Sequence, residues 1–451
     1  MPWFVKATLI LAVILRSPSA GQDSPADPMA QARGVLAAIT ANDFPKVEAQ
    51  FTEPMKTALP PGRLAAMWKT LATKAGPFKR CAADARLRTI DDKNMVITAC
   101  EFERATFDIQ FAFDSAGRIS GLAFRPAAGS PAAASTAAAY TLPPYANRSS
   151  YAEEETTIGS PDWRLPATLT VPAGDGPFPA VVLVHGSGPN DRDETLGANK
   201  PFKDLAAGLA SRGIAVLRYD KRTKVHAARM AALTDVTVKQ EVVDDALEAV
   251  RFLRAQSRID QGRVFVLGHS LGAGLIPRIG AADSTVAGWI VMAGPARPLE
   301  EAITAQSRYL AMADGTITAE EQQGLDRAAA LAASVHALTP EDAREVHTIS
   351  GVPASYWLDL RGYDPPAAAA RVKAPMLILQ GERDYQVTLD EFAKWKAALG
   401  SRRDVTFHTY PALNHLFIPG TGPSLPAEYQ VPGHVAEDVI RDIAAWIRSP
   451  R

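Results

Sequence analysis

One stretch constrains the fold more than any other: Arg263-Val-Phe-Val-Leu-Gly-His-Ser270-Leu-Gly-Ala273. Val264 to Leu267 is an apolar run short enough for a buried strand. Gly268-His-Ser270-Leu-Gly272 follows, the one G-x-S-x-G of the sequence, and Ala273-Gly274-Leu275 opens a helix of small residues. A serine held between a buried strand and a helix start reads as a nucleophile elbow, which pushes the hydroxyl out at the edge of a sheet. The turn is sharp enough to require close backbone approach two positions before and after the serine, hence Gly268 and Gly272.

The chain around this stretch alternates strand and helix. Phe178 to Val184, Ile214 to Tyr219, Val264 to Leu267, Trp289 to Met292, Met376 to Leu379 and Val405 to Tyr410 read as strands. Lys200 to Arg212 and the amphipathic set Val242, Val243, Ala246, Leu247, Val250 and Leu253 read as helices between them. Trp163 to Val171 reads as a strand with polar alternation, near an edge. Continuous apolar strands separated by helices predict an α/β domain, a mostly parallel sheet covered on both faces. Ligands bind such sheets at the carboxyl ends of the strands. Between Met292 and Met376 lie about 80 mostly helical residues, with a capping box at Thr318-Ala-Glu-Glu321 and a further helix start at Thr339-Pro340. This insertion, about 296–372, is expected to cap the site.

A serine hydroxyl needs a base to take its proton and a third group to orient that base. Leu379-Gln-Gly381-Glu-Arg-Asp384 leaves a buried strand and presents Asp384, with Glu382 as the rival carboxylate. Pro411-Ala-Leu-Asn-His415 follows the last strand and presents His415. Of the other seven histidines, His269 belongs to the elbow and His185 opens a glycine loop. His226, His336, His347, His408 and His434 have no matching context. That glycine loop, Val184-His-Gly186-Ser187-Gly188, is placed to aim a backbone N–H at a developing oxyanion together with the N–H of Leu271. Ser187 is the expected donor, with Gly186 and Gly188 as alternatives. His269, Tyr356 and Trp357 are candidates to line the substrate pocket; helix packing is the competing explanation for the two aromatics. No metal or organic cofactor is called for.

Upstream, Ala30 to Ile39, Phe44 to Phe51 and Gly62 to Ala75 read as helices. Strands follow at 85–90, 94–102, 107–113 and 119–124, the clearest being Phe107 to Phe113 with alternating apolar side chains. This predicts a small α+β domain over 22–126. An Ala/Pro/Ser linker over 127–150 leads to the α/β domain over 151–451. Residues 1–21 read as a signal peptide, with a short apolar core from Ala7 to Leu15 and cleavage between Ser19 and Gly21; an uncleaved anchor is the alternative. The chain is therefore expected to be exported, to the periplasm or beyond the cell, and no later apolar run approaches a membrane span. The two cysteines, Cys81 and Cys100, lie on or beside neighbouring strands. Whether their side chains face each other is not written in the spacing; a bridge would stabilise by about 3 kcal/mol. With 48 basic and 49 acidic residues, neither nucleic acid nor an anionic membrane is implied as a partner.

From Tyr151 onward the chain resembles secreted α/β-hydrolases of the carboxylesterase and dienelactone-hydrolase-like group. The stretches that carry the likeness are His185-Gly-Ser-Gly-Pro-Asn-Asp-Arg-Asp193, Asn199-Lys-Pro-Phe202, Arg218-Tyr-Asp-Lys-Arg-Thr223, Gly268 to Gly272, Gly381-Glu-Arg-Asp-Tyr-Gln-Val387 and Asn414-His415. Residues 23–126 are similar to a small domain of unknown function (DUF3887) often fused in front of such hydrolases, with a fold of the nuclear-transport-factor-2 type. The resemblance implies the α/β-hydrolase fold, a Ser270, Asp384 and His415 triad in that chain order, and hydrolysis of small short-chain acyl esters. In dienelactone hydrolases proper the nucleophile is usually cysteine, so the serine favours ester hydrolysis. The same machinery serves peptidases, thioesterases and acyltransferases. A ligand-binding protein with a degenerate hydrolase domain is the reading from another class.

Overall fold

The computed structural model describes residues 27–59, 61–82, 85–90, 93–127, 140–345 and 348–449. Residues 1–21, read from the sequence as a signal peptide, and His347 lie outside them, as do residues 128–139 of the expected linker. The chain divides into two compact units between residues 139 and 140.

The first unit opens with helices Pro28–Thr40, Phe44–Glu48, Glu53–Ala58 and Arg63–Ala75. Five antiparallel strands follow: β1 (Phe78–Cys81), β2 (Arg86–Ile90), β3 (Lys93–Phe102), β4 (Thr106–Phe113) and β5 (Ile119–Pro126). The helices are packed on this sheet around Ile39, Phe51, Leu64, Trp68, Phe102 and Phe111. Period two puts Ile109, Phe111 and Phe113 on the buried face of β4, as the sequence pattern requires. Strand β1 was not legible in the sequence, because Phe78-Lys-Arg-Cys81 has no apolar alternation. It pairs with β3 in a register that sets Cys81 opposite Cys100, and the two are joined in a disulfide.

The second unit holds an eight-stranded sheet in the order β15-β14-β11-β10-β8-β9-β7-β6. Its strands are β6 (Tyr151–Ile158), β7 (Leu165–Pro172), β8 (Phe178–Val184), β9 (Ala215–Tyr219), β10 (Ile259–His269), β11 (Gly288–Met292), β14 (Met376–Gly381) and β15 (Val405–Tyr410). A two-stranded hairpin, β12 (Thr348–Ile349) with β13 (Val352–Pro353), lies in the insertion. Within this sheet the neighbours β15-β14-β11-β10-β8-β9 pair in parallel, while β7 is antiparallel to both β9 and β6. Side-chain alternation sends Val182, Val184, Val264 and Val266 into one apolar core, and Val181, Leu183, Phe265 and Leu267 into the other. Both sides are apolar because helices cover both.

Strand β7 is second from the edge of the sheet, and its polar alternation is present: Leu165, Ala167, Leu169 and Val171 face the core, with Thr168 and Thr170 on the other face. It is buried along most of its length, and β6 lies outside it. The buried Thr168 hydroxyl, which suggested polar alternation, donates to Glu155 of β6 at 2.7 Å. Residues 140–150 are laid on this unit by two aromatics that the Ala/Pro/Ser reading undervalued. The Tyr140 hydroxyl donates to Asp204 at 2.8 Å, and the Tyr145 hydroxyl to the Val435 carbonyl at 2.7 Å.

The insertion between β11 and β14 contains helices Leu299–Ala311, Ala319–Ala337, Asp342–Glu345, Ala354–Leu360 and Pro365–Ala369. The capping box at Thr318 and Glu321 is formed, and Thr339 and Asp342 exchange the equivalent bonds. Helix Leu299–Ala311 lies against the loop after β14. The Gln306 side chain donates to the Gln386 carbonyl at 3.1 Å, and Tyr309 stacks on Tyr385 with centroids 5.0 Å apart.

Candidate active site

Three strand ends converge at the carboxyl edge of the second sheet. Strand β10 ends at His269, and Ser270, the residue before helix Leu271–Ala282, has φ 53° and ψ −119°. A non-glycine residue in that region is strained, and only the flanking packing can hold it there. Both flanking glycines are needed. A Cβ on Gly268 would lie 2.4 Å from the Gly272 carbonyl oxygen, and one on Gly272 would lie 2.4 Å from that of Val184. The second contact ties the elbow to the end of β8, whose register sets Val184 beside Gly268.

Asp384 follows β14 and is buried. Its Oδ1 accepts the N–H groups of Gln386 at 2.8 Å and Val387 at 3.0 Å. Its Oδ2 accepts from the buried Gln380 side chain at 3.2 Å and lies 2.7 Å from His415 Nδ1. The carboxylate is thus oriented by three N–H donors and leaves one direction for the imidazole. Its rival Glu382 is turned away, accepting from the Thr409 hydroxyl at 2.8 Å. A Cβ on Gly381 would lie 2.5 Å from the Leu413 carbonyl oxygen, so this glycine lets the two loops approach. Asn414 holds the loop that carries His415, accepting from the N–H groups of Leu416 and Ile418.

His269 is buried behind the elbow, where its Nε2 lies 2.9 Å from the His415 carbonyl oxygen and its Nδ1 lies 2.9 Å from Glu194 Oε2. Burial alone would lower the His269 pKa, but the adjacent Glu194 carboxylate outweighs it and the pKa is raised. Burial would raise the Glu194 pKa; His269 and the Gly186 N–H bring it below the ordinary carboxylate value. Tyr356 and Trp357 are buried as well. The Trp357 indole packs in the core of the insertion, with its N–H on the Ile349 carbonyl at 3.2 Å. Tyr356 is packed into the main core.

In the glycine loop after β8, Gly186 is clamped through both its N–H and its carbonyl. The Gly186 N–H donates to Glu194 Oε1 at 2.6 Å, which removes it from the candidate oxyanion donors. The Gly186 carbonyl accepts from Lys221 Nζ at 2.9 Å and Asn190 Nδ2 at 3.1 Å. Among the described residues no acceptor takes the N–H of Ser187 or of Leu271. His185 sits between the rings of Phe202 and Tyr219 at 5.0 and 5.1 Å, and burial pushes its pKa down to about 4. Asp191, Arg192 and Asp193 hold the following turn: Asp191 accepts from Thr195, Arg192 pairs with Asp220, and Asp193 pairs with Lys200.

Glu194, Lys221, Glu241 and Gln380 had escaped the sequence reading. Each is a buried polar residue whose partner is remote in the chain or hidden in a turn. Gln380 carried the one available signal, a polar side chain closing an apolar strand.

Residues 177–419 match the family described as Serine aminopeptidase, S33, and residues 32–122 match a protein family of unknown function, DUF3887. The chain is 39% identical over 412 residues to Esterase EstD of Thermotoga maritima, a match covering 91% of this chain and 92% of that protein. Among solved structures it is similar to an esterase of Pyrobaculum calidifontis, with 18% identity, a TM-score of 0.42 and coverage of 66% of this chain and 85% of that one. An esterase of Pyrococcus furiosus has 15% identity, a TM-score of 0.40 and coverage of 66% and 92%.

Proposed function

The chain belongs to the Serine aminopeptidase, S33 family of α/β-hydrolases, and from that premise we propose that it is a serine carboxylesterase acting on small, short-chain acyl esters. The observation that carries the reading is the 2.7 Å Asp384–His415 bond, set beside a strained serine elbow at the sheet edge. The likeness to Esterase EstD over nearly the whole chain supports an ester as the substrate.

In this mechanism Ser270 Oγ attacks the ester carbonyl carbon while its proton passes to His415 Nε2. Asp384 keeps the proton on Nδ1 and stabilises the imidazolium. The N–H groups of Leu271 and Ser187 hold the oxyanion. Collapse of the tetrahedral adduct expels the alcohol, which takes the proton from His415. Water, deprotonated by His415, then attacks the acyl-enzyme and releases the acid. The family description favours a second reading, an aminopeptidase that uses the same residues on an amide.

Hydrolysis of a p-nitrophenyl ester chain-length series, beside aminoacyl p-nitroanilides, tests both. Ester turnover that peaks at short chains and vanishes in Ser270→Ala is the expected result. Turnover of the anilides alone would install the peptidase reading. No turnover of either by the folded protein would favour a binding role for the hydrolase unit.

The chain is further proposed to be exported. The disulfide supports this, since such bonds persist in oxidising compartments. A mature N-terminus between Ser19 and Gly21 in the periplasmic or extracellular fraction is expected, and a full-length cytosolic product would refute it.

A further inference from the structure

Lysine is among the residues least often fully buried, and it needs a partner when it is. Lys221, at the end of the turn after β9, is 2% exposed. Its ammonium lies 2.7 Å from Glu241 Oε1, a carboxylate carried on the single π-helical turn Lys239–Val243. Neutralising the charge needs only that contact. The second bond of Nζ goes to one particular backbone group, the Gly186 carbonyl, at 2.9 Å.

That carbonyl shares a peptide plane with the Ser187 N–H. In a trans peptide the C=O and N–H point in opposite directions, so a donor that anchors the oxygen also aims the hydrogen. A cation on the oxygen draws electron density from the amide and makes its N–H a stronger donor. The neighbouring peptide is committed elsewhere, its Gly186 N–H to Glu194. The clamped segment also passes beside the nucleophile: a Cβ on Gly186 would lie 3.1 Å from Ser270 Cβ.

We propose that Lys221, neutralised by Glu241, is a positioning residue of the oxyanion hole, holding the Gly186 carbonyl so that the Ser187 N–H is both aimed and polarised. The assignment rests on the serine-hydrolase reading above and adds a residue to it. Asn190 Nδ2, 3.1 Å from the same oxygen, is the auxiliary, uncharged donor.

The test compares the full-length protein with Lys221→Met/Glu241→Gln, which removes both charges and leaves no buried ion unpaired, and with Asn190→Ala. The readouts are kcat and KM on the best p-nitrophenyl ester, and affinities for two inhibitors. A trifluoromethyl ketone adds Ser270 Oγ to its carbonyl, passes the proton to His415 and places an oxyanion in the hole. The matching ether, which has no carbonyl, binds without an oxyanion. Loss of one whole oxyanion donor lowers kcat about 10²- to 10³-fold, so weakening one is expected to lower it roughly tenfold or more in the double variant. KM and ether affinity should stay within about twofold, with ketone affinity falling in parallel with kcat/KM. Asn190→Ala should move the same two quantities in the same direction by less, and it decides the matter if the double variant does not fold. Ketone affinity within about twofold of the wild type, or a loss shared equally by the ether, would overturn the proposal and leave a structural ion pair. A wild type without ester turnover would instead sink the esterase reading.

Discussion

Gly272 shows how a single missing carbon can position a reaction. Its Cα is packed against the end of β8, where a Cβ would meet the carbonyl oxygens of Val184 and His185 at 2.4 and 2.7 Å. Backbone atoms cannot swing aside as a flexible side chain can, so Gly272→Ala must separate the elbow from the glycine loop. Overpacking of this kind costs about 1–3 kcal/mol, and the shift falls between the nucleophile and the proposed oxyanion donors. A lower melting temperature together with a kcat loss larger than the KM change is expected. Wild-type kcat in the folded variant would mean that this spacing is not critical. The glycines around Ser270 were legible from the sequence, because a sharp turn admits few residue types. Glu194 and Lys221 were not, because a buried ion reads as an ordinary surface charge until its partners across the fold are known.

The described helices and strands of the first unit form an element-scale case. Strand β1 is short, and its two middle residues, Lys79 and Arg80, are exposed, so its place depends on pairing with β3. The disulfide at Cys81↔Cys100 fastens that pairing. Closing a loop with a sequence separation of 19 residues stabilises by about 3 kcal/mol in the chain-entropy account. Cys81→Ala/Cys100→Ala is therefore expected to lower the unfolding free energy of this unit by about that amount, seen as an earlier calorimetric transition, while ester turnover by the second unit persists below it. An unchanged transition would show that packing around Trp68 and Phe102 suffices to hold β1. Elsewhere the strands β8 and β15 coincide with their predicted limits, because strong apolar runs bounded by turns leave little freedom. The missed strand β6 is Tyr-Ala-Glu-Glu-Glu-Thr-Thr-Ile, acidic and exposed along its middle. It is a strand because the adjacent β7 offers it a full ladder.

At the scale of the whole molecule, the second unit buries His185 at a point where it must stay neutral. Its unfolded pKa is about 6.5, and burial between Phe202 and Tyr219 sets the folded value near 4. Between those values the unfolded chain takes up a proton that the folded chain refuses. The stability associated with this group is thus complete above about pH 6.5 and is lost as pH falls towards 4. Urea unfolding of wild type and His185→Leu at pH 7 and pH 5 isolates it, since the carboxylates common to both cancel in the difference. The wild type is expected to lose on the order of 2 kcal/mol relative to the variant at the lower pH; a gap that does not change with pH would rule this out. What the sequence by itself determined was the parallel sheet, the elbow, the order Ser270, Asp384, His415 and the helical insertion. Each is local, written in apolar runs, glycines and turn residues. Only the tertiary structure decided which carboxylate meets His415, that the Gly186 N–H of the glycine loop is taken by Glu194, and what Lys221 holds. Those outcomes depend on register between strands that are distant in the chain, and on buried polar groups that must find partners wherever the fold brings them.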